Sequence, residues 1–439
     1  MATRIVVLGG GFGGLHTALH LERRLRGRRD VEITLVSRDN FFLFTPMLHE
    51  VAASDLDITH IVSPIRTLLR HSSVFVGDVD AVDLARRRVI VSHGFERHTH
   101  ELPYDHLVIA LGSITNFYGL PGLEQRALTM KTLGDAIHLR NRVIATLEEG
   151  DTECATGSHG LLTFVVAGGG FAGVETLAGL NDFVREALRY YPRLTPERIR
   201  MVLVHSGPVI LPELGDKLGT YAHGKLAARG VEILTNARVA GITPDGVTLH
   251  DGRHIPTQLV VWTAGTSPHP LIHDLPCPLD RGRIVVDDTL AVRGWPGVWA
   301  LGDCAVVPNR RTGRPHPPTA QHALRQAKVA ARNIVAALDG RAPVAFDFRT
   351  IGQLAAIGRR TGVARVFGIN FSGFPAWWLW RTVYLGKLPR LEKKVRVAID
   401  WTLDLVFAKD FVQFLTVRGS VMSTHGDPDA VAAPVESTK

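Results

Sequence analysis

Two glycine-rich segments carry the most specific chemistry in this sequence. Gly9-Gly10-Gly11-Phe12-Gly13-Gly14 and Gly168-Gly169-Gly170-Phe171-Ala172-Gly173 both follow the spacing Gly-x-Gly-x-x-Gly. In such a segment the first glycine allows a tight turn, the second lets a pyrophosphate approach the backbone, and the third lets the next helix pack close to the strand. The phosphates then sit at a helix N-terminus, where free N–H groups and the dipole favour anions. One match is a weak signal. Two, each after an apolar strand and before a helical pattern, are much stronger. Two dinucleotide sites in one chain imply a flavin held permanently and a nicotinamide that comes and goes.

The elements that must position these turns are visible around them. Ile5-Val6-Val7-Leu8 and Phe164-Val165-Val166-Ala167 read as buried strands. Each is followed by a further strand, Val31 to Val36 and Arg200 to Val204, that ends where a ribose-binding residue is expected. Both ends depart from the usual acidic residue. The first runs into Ser37-Arg38-Asp39, which places Ser37 and Arg38 on the flavin side with Asp39 as a substitute carboxylate. The second runs into His205-Ser206, which removes the repulsion of a 2′-phosphate, and a protonated His205 could pair with one. NADH and NADPH therefore both stay open. Two more buried strands end in small residues, at Ala110 and Gly112 and at Ala264 and Gly265, where the chain can cross close over a dinucleotide. A fifth runs from Val298 into Gly302-Asp303, where the carboxylate can accept from a ribityl hydroxyl.

In these motifs the sequence resembles the two-dinucleotide-binding-domain flavoproteins, over nearly the whole chain to about residue 345. Within them it looks most like the type II NADH dehydrogenases, the non-pumping NADH:quinone oxidoreductases. Four stretches carry the narrower match: Asn40 to Ala52, Gly173-Val174-Glu175, Pro317 to Gln326, and the tail from Gly373 to Phe414. The resemblance implies an α/β fold of two Rossmann-like dinucleotide-binding domains, for FAD and NAD(P)H, plus a C-terminal amphipathic membrane-docking region. Residues 1–117 and 281–345 would form the FAD domain, 118–280 the NAD(P)H domain, 346–420 the docking region and 421–439 a disordered tail.

The resemblance also implies roles. Pro46 lies in the segment beside the isoalloxazine, and Gln321 and His322 in the flavin and quinone motif. Glu175 orients nicotinamide or relays protons, with simple stabilisation of the helix dipole as the alternative. Family members often carry a second Gln four residues after the first. Here that position is Arg325, and Gln326 is rotated about 100° from it. Lys387 would flank a quinone channel or touch a lipid headgroup.

Composition closes off other classes. The 439 residues are 45% hydrophobic and 21% charged with only 3 Cys, which excludes disorder and a disulfide scaffold. Residues 37–60 contain no Cys, so the thiol chemistry of related disulfide reductases is excluded; no metal is expected. The apolar strand pattern beginning at Arg4 leaves no room for a signal peptide, and no stretch reads as a transmembrane helix. Lys and Arg exceed Asp and Glu by 50 to 42, a formal +8. Between residues 381 and 396 six cations stand against Glu392 alone, beside Trp377, Trp378, Trp380 and Trp401. Trp next to Lys and Arg suits a headgroup layer. Leu391, Val395, Ala398, Ile399, Thr402, Leu405 and Val406 share one helical arc. An anionic lipid surface is therefore the expected partner, at the cytoplasmic face, with nucleic acid the poorer choice. A homodimer contact through the same helix is compatible. The rival readings are a soluble NAD(P)H flavoprotein reductase with a protein or small-molecule acceptor, and a weakly catalytic flavin-binding signalling protein.

Overall fold

The computed structural model describes residues 2–152 and 160–414. Cys154, the part of the expected docking region beyond Phe414 and the expected disordered tail 421–439 lie outside the described residues. The first strand, Thr3–Leu8, is central in a five-stranded sheet with the spatial order Val298–Ala300, His106–Ile109, Thr3–Leu8, Val31–Ser37, Ser73–Val76. Every pairing in it is parallel. Parallel sheets are covered on both faces, which explains the near-continuous apolar runs: Ile5, Val7, Leu8, Leu107 and Val108 are all inaccessible to solvent. The helix Phe12–Arg24 packs against this sheet and against the helix Ala320–Leu338.

The second glycine motif opens a smaller copy of the same plan. Val231–Leu234, Arg200–Val204, Thr163–Ala167 and Leu259–Trp262 form a four-stranded parallel sheet in that order, and the helix Phe171–Ala187 follows the motif. The two links between the halves, Ser113–Thr115 and Thr266–Pro268, pair as a short antiparallel ribbon.

After these units comes an antiparallel meander, Gly352–Ala356, Gly362–Val366 and Ile369–Gly373, then the helices Phe374–Lys387 and Leu391–Leu403. Pro375 sits in the first turn of the former, where its missing N–H costs nothing. Pro389 separates the two helices by excluding Leu388 from helical backbone.

The second of these helices packs unusually. Leu391 is 76% exposed and Val395 and Ile399 51% each, while Lys393, Val397 and Trp401 are buried. The apolar arc thus points outward. The opposite side faces the protein through hydrogen-bonded polar groups: Lys393 Nζ donates to the Thr59 carbonyl at 2.7 Å, and Asp400 pairs with His60. No helix among the described residues is long and apolar enough to cross a membrane.

Candidate functional site

The glycine turns repeat position by position. Gly9 (φ +105°) and Gly168 (φ +119°) occupy backbone conformations that side chains disfavour. A Cβ on Gly14 would lie 1.9 Å from the Gly9 carbonyl oxygen, and one on Gly173 would lie 1.9 Å from that of Gly168. A Cβ on Gly11 or Gly170 would meet nothing within 4 Å. These are the three functions expected of the motif: turn, open approach for phosphate, and close helix packing.

A cavity of about 2150 Å³ runs between the halves. Gly9, Gly11, Phe12, Ser37, Arg38 and Pro46 line its first part, and Ala110, Gly112, Asp303 and Gln321 continue the wall. Asp303 Oδ2 accepts from the Ser113 hydroxyl at 2.9 Å, and Lys131 Nζ donates to that same hydroxyl at 3.2 Å. The open face of Gly11, the carboxylate of Asp303 and the length of this wall together fit an FAD.

From the second half, Phe171, Glu175 and Gly265 reach the same cavity. Gly168, Gly170, Gly173, His205 and Ala264 shape the neighbouring turn and do not line it. His205 Nδ1 accepts the Gly169 N–H at 3.2 Å, and burial lowers the pKa of the ring. The ring is therefore held neutral, which corrects the expectation that a protonated His205 could receive a 2′-phosphate.

Glu175 is 8% exposed and lies five residues into its helix, beyond the first turn. Its Oε1 accepts the Ala356 N–H at 3.0 Å and the Trp380 Nε1–H at 2.9 Å. Those contacts join it to the C-terminal region and remove the helix-dipole explanation. Burial pushes its carboxyl up to about 8, with the two hydrogen bonds opposing. His49 Nδ1 stands 3.9 Å from Oε2. Burial, with the charge of Lys409, drives that imidazole down to about 3, so the contact joins two neutral groups.

Glu50 is a second buried acid, also pushed up to about 8 by burial, and it accepts from Trp401 Nε1–H at 3.2 Å. Glu175 and Glu50 both line a cavity of about 50 Å³ behind the main one, with Arg381 and Lys409 among its other walls. Arg381 is stacked between Trp377, at 4.2 Å, and Trp401, at 4.6 Å.

Several expectations need correction. His322 is buried 5.3 Å from the His316 ring, its Nδ1 is 2.7 Å from the Thr319 hydroxyl, and it does not line the main cavity. Arg325 lies over the Phe348 ring at 4.2 Å and donates to the Gln321 carbonyl, so it too stands behind the wall. Gln326 turns inward and accepts the Gly302 N–H at 2.8 Å. Trp380 and Trp401 are buried partners of the two glutamates, Trp377 belongs to the small cavity, and of the clustered Trp only Trp378 is exposed. Lys387 does line the main cavity, beside Tyr384. Glu50, Ser113, Lys131 and Tyr384 were missed. Glu50 stood inside the segment from Asn40 to Ala52, but nothing in its spacing foretold burial.

Two parallel sheets, each ending in a phosphate-cradling glycine turn beside one shared cavity, define a flavoprotein with two dinucleotide-binding units. The family model for pyridine nucleotide-disulphide oxidoreductases matches residues 3–327, and the NDH2 C-terminal domain matches residues 351–410. The chain is 33% identical to the type II NADH:quinone oxidoreductase Ndh of Mycobacterium tuberculosis, covering 91% of this chain and 87% of that one. It is 34% identical to the demethylphylloquinone reductase NdbB of Synechocystis, covering 91% and 95%. Among solved structures, NDH2 of Plasmodium falciparum in complex with NADH superposes with a TM-score of 0.86 at 20% identity, over 94% of this chain and 100% of that one. The chain belongs to the pyridine nucleotide-disulphide oxidoreductase family and, within it, to the type II NADH:quinone oxidoreductases.

Proposed function

We propose that this protein is an FAD-dependent oxidoreductase that passes electrons from NADH to a membrane quinone without pumping protons, while docked on an anionic lipid surface. One observation carries the reading: the turn at Gly11, the buried acid Glu175, Gln321 and the docking-helix residues Tyr384 and Lys387 all face one continuous cavity. FAD held by these residues would supply the redox chemistry, two-electron transfer between nicotinamide and quinone.

The chain's own residues bind, orient and protonate. Gly9, Gly11 and Gly14 with Ser37, Arg38, Ala110, Gly112 and Asp303 hold FAD, and Gly168, Gly170, Gly173 and Gly265 hold NADH. Gln321 donates to the Gly352 carbonyl at 3.2 Å, which fixes its amide on the wall where we place the quinone. Glu175, still protonated near neutral pH, holds a proton that a reduced quinone oxygen requires. Glu50 is a second protonated carboxyl behind it. The neutral His205 and its missing carboxylate leave NADPH as a poorer but accepted substrate.

The outward apolar arc of Leu391, Val395 and Ile399 supports peripheral docking at the cytoplasmic face. The same arc is available for a dimer contact. We assign 1–117 with 281–345 to FAD, 118–280 to NADH and the region from 346 to docking.

Turnover with NADH and a short-chain quinone, then with liposomes carrying a long-chain quinone, tests the proposal. Activity should appear in both and rise with anionic lipid. Turnover supported only by oxygen, a disulfide or a soluble protein acceptor overturns it.

A further inference from the structure

A group of histidines lies outside everything described above. The strands Asp78–Asp83, Arg88–His93 and His98–Pro103 form an antiparallel sheet at the edge of the flavin half. In its register His93 faces His98 directly, and His100 lies two residues further along the same strand. Side chains two apart on a strand share a face. His93, His98 and His100 therefore stand together on one side.

Two of the rings converge. His93 Nε2 and His100 Nε2 are 2.9 Å apart, whereas the ring centroids are 4.9 Å apart and the rings are inclined by only 21°. The two nitrogens face one another across an N–H···N hydrogen bond between nearly parallel rings. Phe75 packs edge-on against both, with centroids 5.3 Å from His93 and 5.7 Å from His100, so one apolar residue sets both orientations. The His98 ring is 5.9 Å from that of His93, and its Nε2 is 3.5 Å from a Glu96 carboxylate oxygen. No three such groups already converge among the described residues; the preformed part is the pair.

We propose that His93 and His100 chelate one divalent late first-row metal ion, with His98 completing the set by a side-chain rotation. The spacing selects the geometry. At a metal–nitrogen distance of about 2.0–2.1 Å, two nitrogens at a right angle lie about 2.9 Å apart, and two at a tetrahedral angle about 3.3 Å apart. The hydrogen-bonded separation is close to the right-angle value, so an ion that takes 90° angles, tetragonal or octahedral Ni(II) or Cu(II), replaces the bridging proton, which shifts to the other nitrogen of its ring, with less movement than tetrahedral Zn(II) requires. A bound ion ties the last two strands of this sheet together against Phe75. The first strand of the sheet begins at Asp78, which lines the flavin-side cavity, so the ion braces the wall without entering the electron path.

The test uses the flavin-loaded protein and Ni(II) in calorimetric titration, with Zn(II) as the comparison ion. The chain has 20 His, so the informative quantity is the difference between wild type and variants. Wild type should show one Ni(II) site per chain that raises the thermal midpoint and binds Zn(II) more weakly. His93→Gln and His100→Gln should each weaken that site by at least about tenfold, a loss seen even for outer partners of metal ligands. His98→Gln should weaken it less, and all three variants should keep their flavin absorbance and NADH:quinone turnover. Identical Ni(II) isotherms for wild type and for His93→Gln/His100→Gln, both retaining flavin, overturn the proposal. A site that persists in that double variant but vanishes with another histidine overturns it equally.

Discussion

The two dinucleotide halves share a turn but differ one turn further along the helix. The glycines correspond pairwise at a constant offset, and with that offset His16 corresponds to Glu175. His16 packs edge-on against Phe42 at 6.0 Å, and burial lowers it to about 4, so it is a neutral, half-buried packing residue. Glu175 instead carries a proton toward the shared cavity and is tied to the C-terminal region by Trp380. The motif makes a glycine turn of the same form in both halves; on the function proposed above, the position one turn on separates a half that only holds a cofactor from one that also manages protons. The strand ends diverge in the same way. Ser37 donates to the Asp39 carbonyl within its own loop at 2.7 Å, whereas His205 accepts from the glycine turn itself.

The sharpest way to break this correspondence is to fill the third glycine on each side. Gly14→Ala should lose bound FAD and all activity, because its methyl collides with the Gly9 carbonyl. Gly173→Ala should keep the flavin colour and lose NADH affinity by the equivalent collision. Absorbance spectra and NADH titration read the two outcomes, and overpacking should also cost each about 1–3 kcal/mol of stability. If both variants lose flavin, or neither does, the halves do not have the separate roles assigned to them.

Next in size is the position that distinguishes the halves. Glu175→Gln should slow quinone reduction by about 10²–10⁴-fold, the usual worth of a positioned acid, and leave reduction by NADH nearly intact. His16→Gln should alter stability and not the proton step. Wild-type quinone reduction should decline as pH rises through about 8, where Glu175 loses its proton, and the Gln variant should lack that limb.

The same two buried acids predict a stability profile. Glu50 and Glu175 have ordinary values of 4.5 and are raised to about 8 in the folded chain. The folded state thus binds more protons than the unfolded one between those values. Their contribution is fully present below about pH 4.5 and is lost as pH rises through about 8. Denaturant midpoints of Glu50→Gln should fall less steeply over that window than those of wild type; an unchanged slope would contradict the burial argument.

A smaller effect is expected at the strand end of the nicotinamide half. His205→Glu should raise KM for NADPH by on the order of tenfold or more relative to NADH, since like charges brought together cost several kcal/mol. Smallest for the chemistry is Val395→Glu, which touches neither half. It should weaken liposome binding and leave turnover with a short-chain quinone unchanged; loss of that soluble activity would place the arc inside the active structure.

Much of this was legible in the residues. Both parallel sheets appeared as apolar runs ending in small residues, because strands buried on both faces have no polar alternation to hide them. Gly9 through Gly14 and Gly168 through Gly173 were readable because only glycine satisfies those turns. The amphipathic helix and its apolar arc were readable from their period, but the partners of its polar side were not: Lys393 and Asp400 look solvated in sequence yet find Thr59 and His60 in space. Trp380 and Trp401 looked like headgroup anchors for the same reason, since their partners Glu175 and Glu50 are some 200 to 350 residues distant. Gln326 and His322 share a helix with Gln321 but face the core, a distinction set by how that helix rolls on Gly302 and Phe348.

The central claim is that one flavin site serves NADH on one side and quinone on the other, with Glu175 needed only for the second transfer. Double-mixing stopped-flow on wild type and Glu175→Gln tests it directly by following flavin absorbance, first with NADH and then with a short-chain quinone. Both proteins should bleach at similar rates, and wild type should recover its absorbance rapidly while the variant recovers about 10²-fold or more slowly. Equal recovery rates, or a variant that cannot be bleached by NADH, would contradict the account.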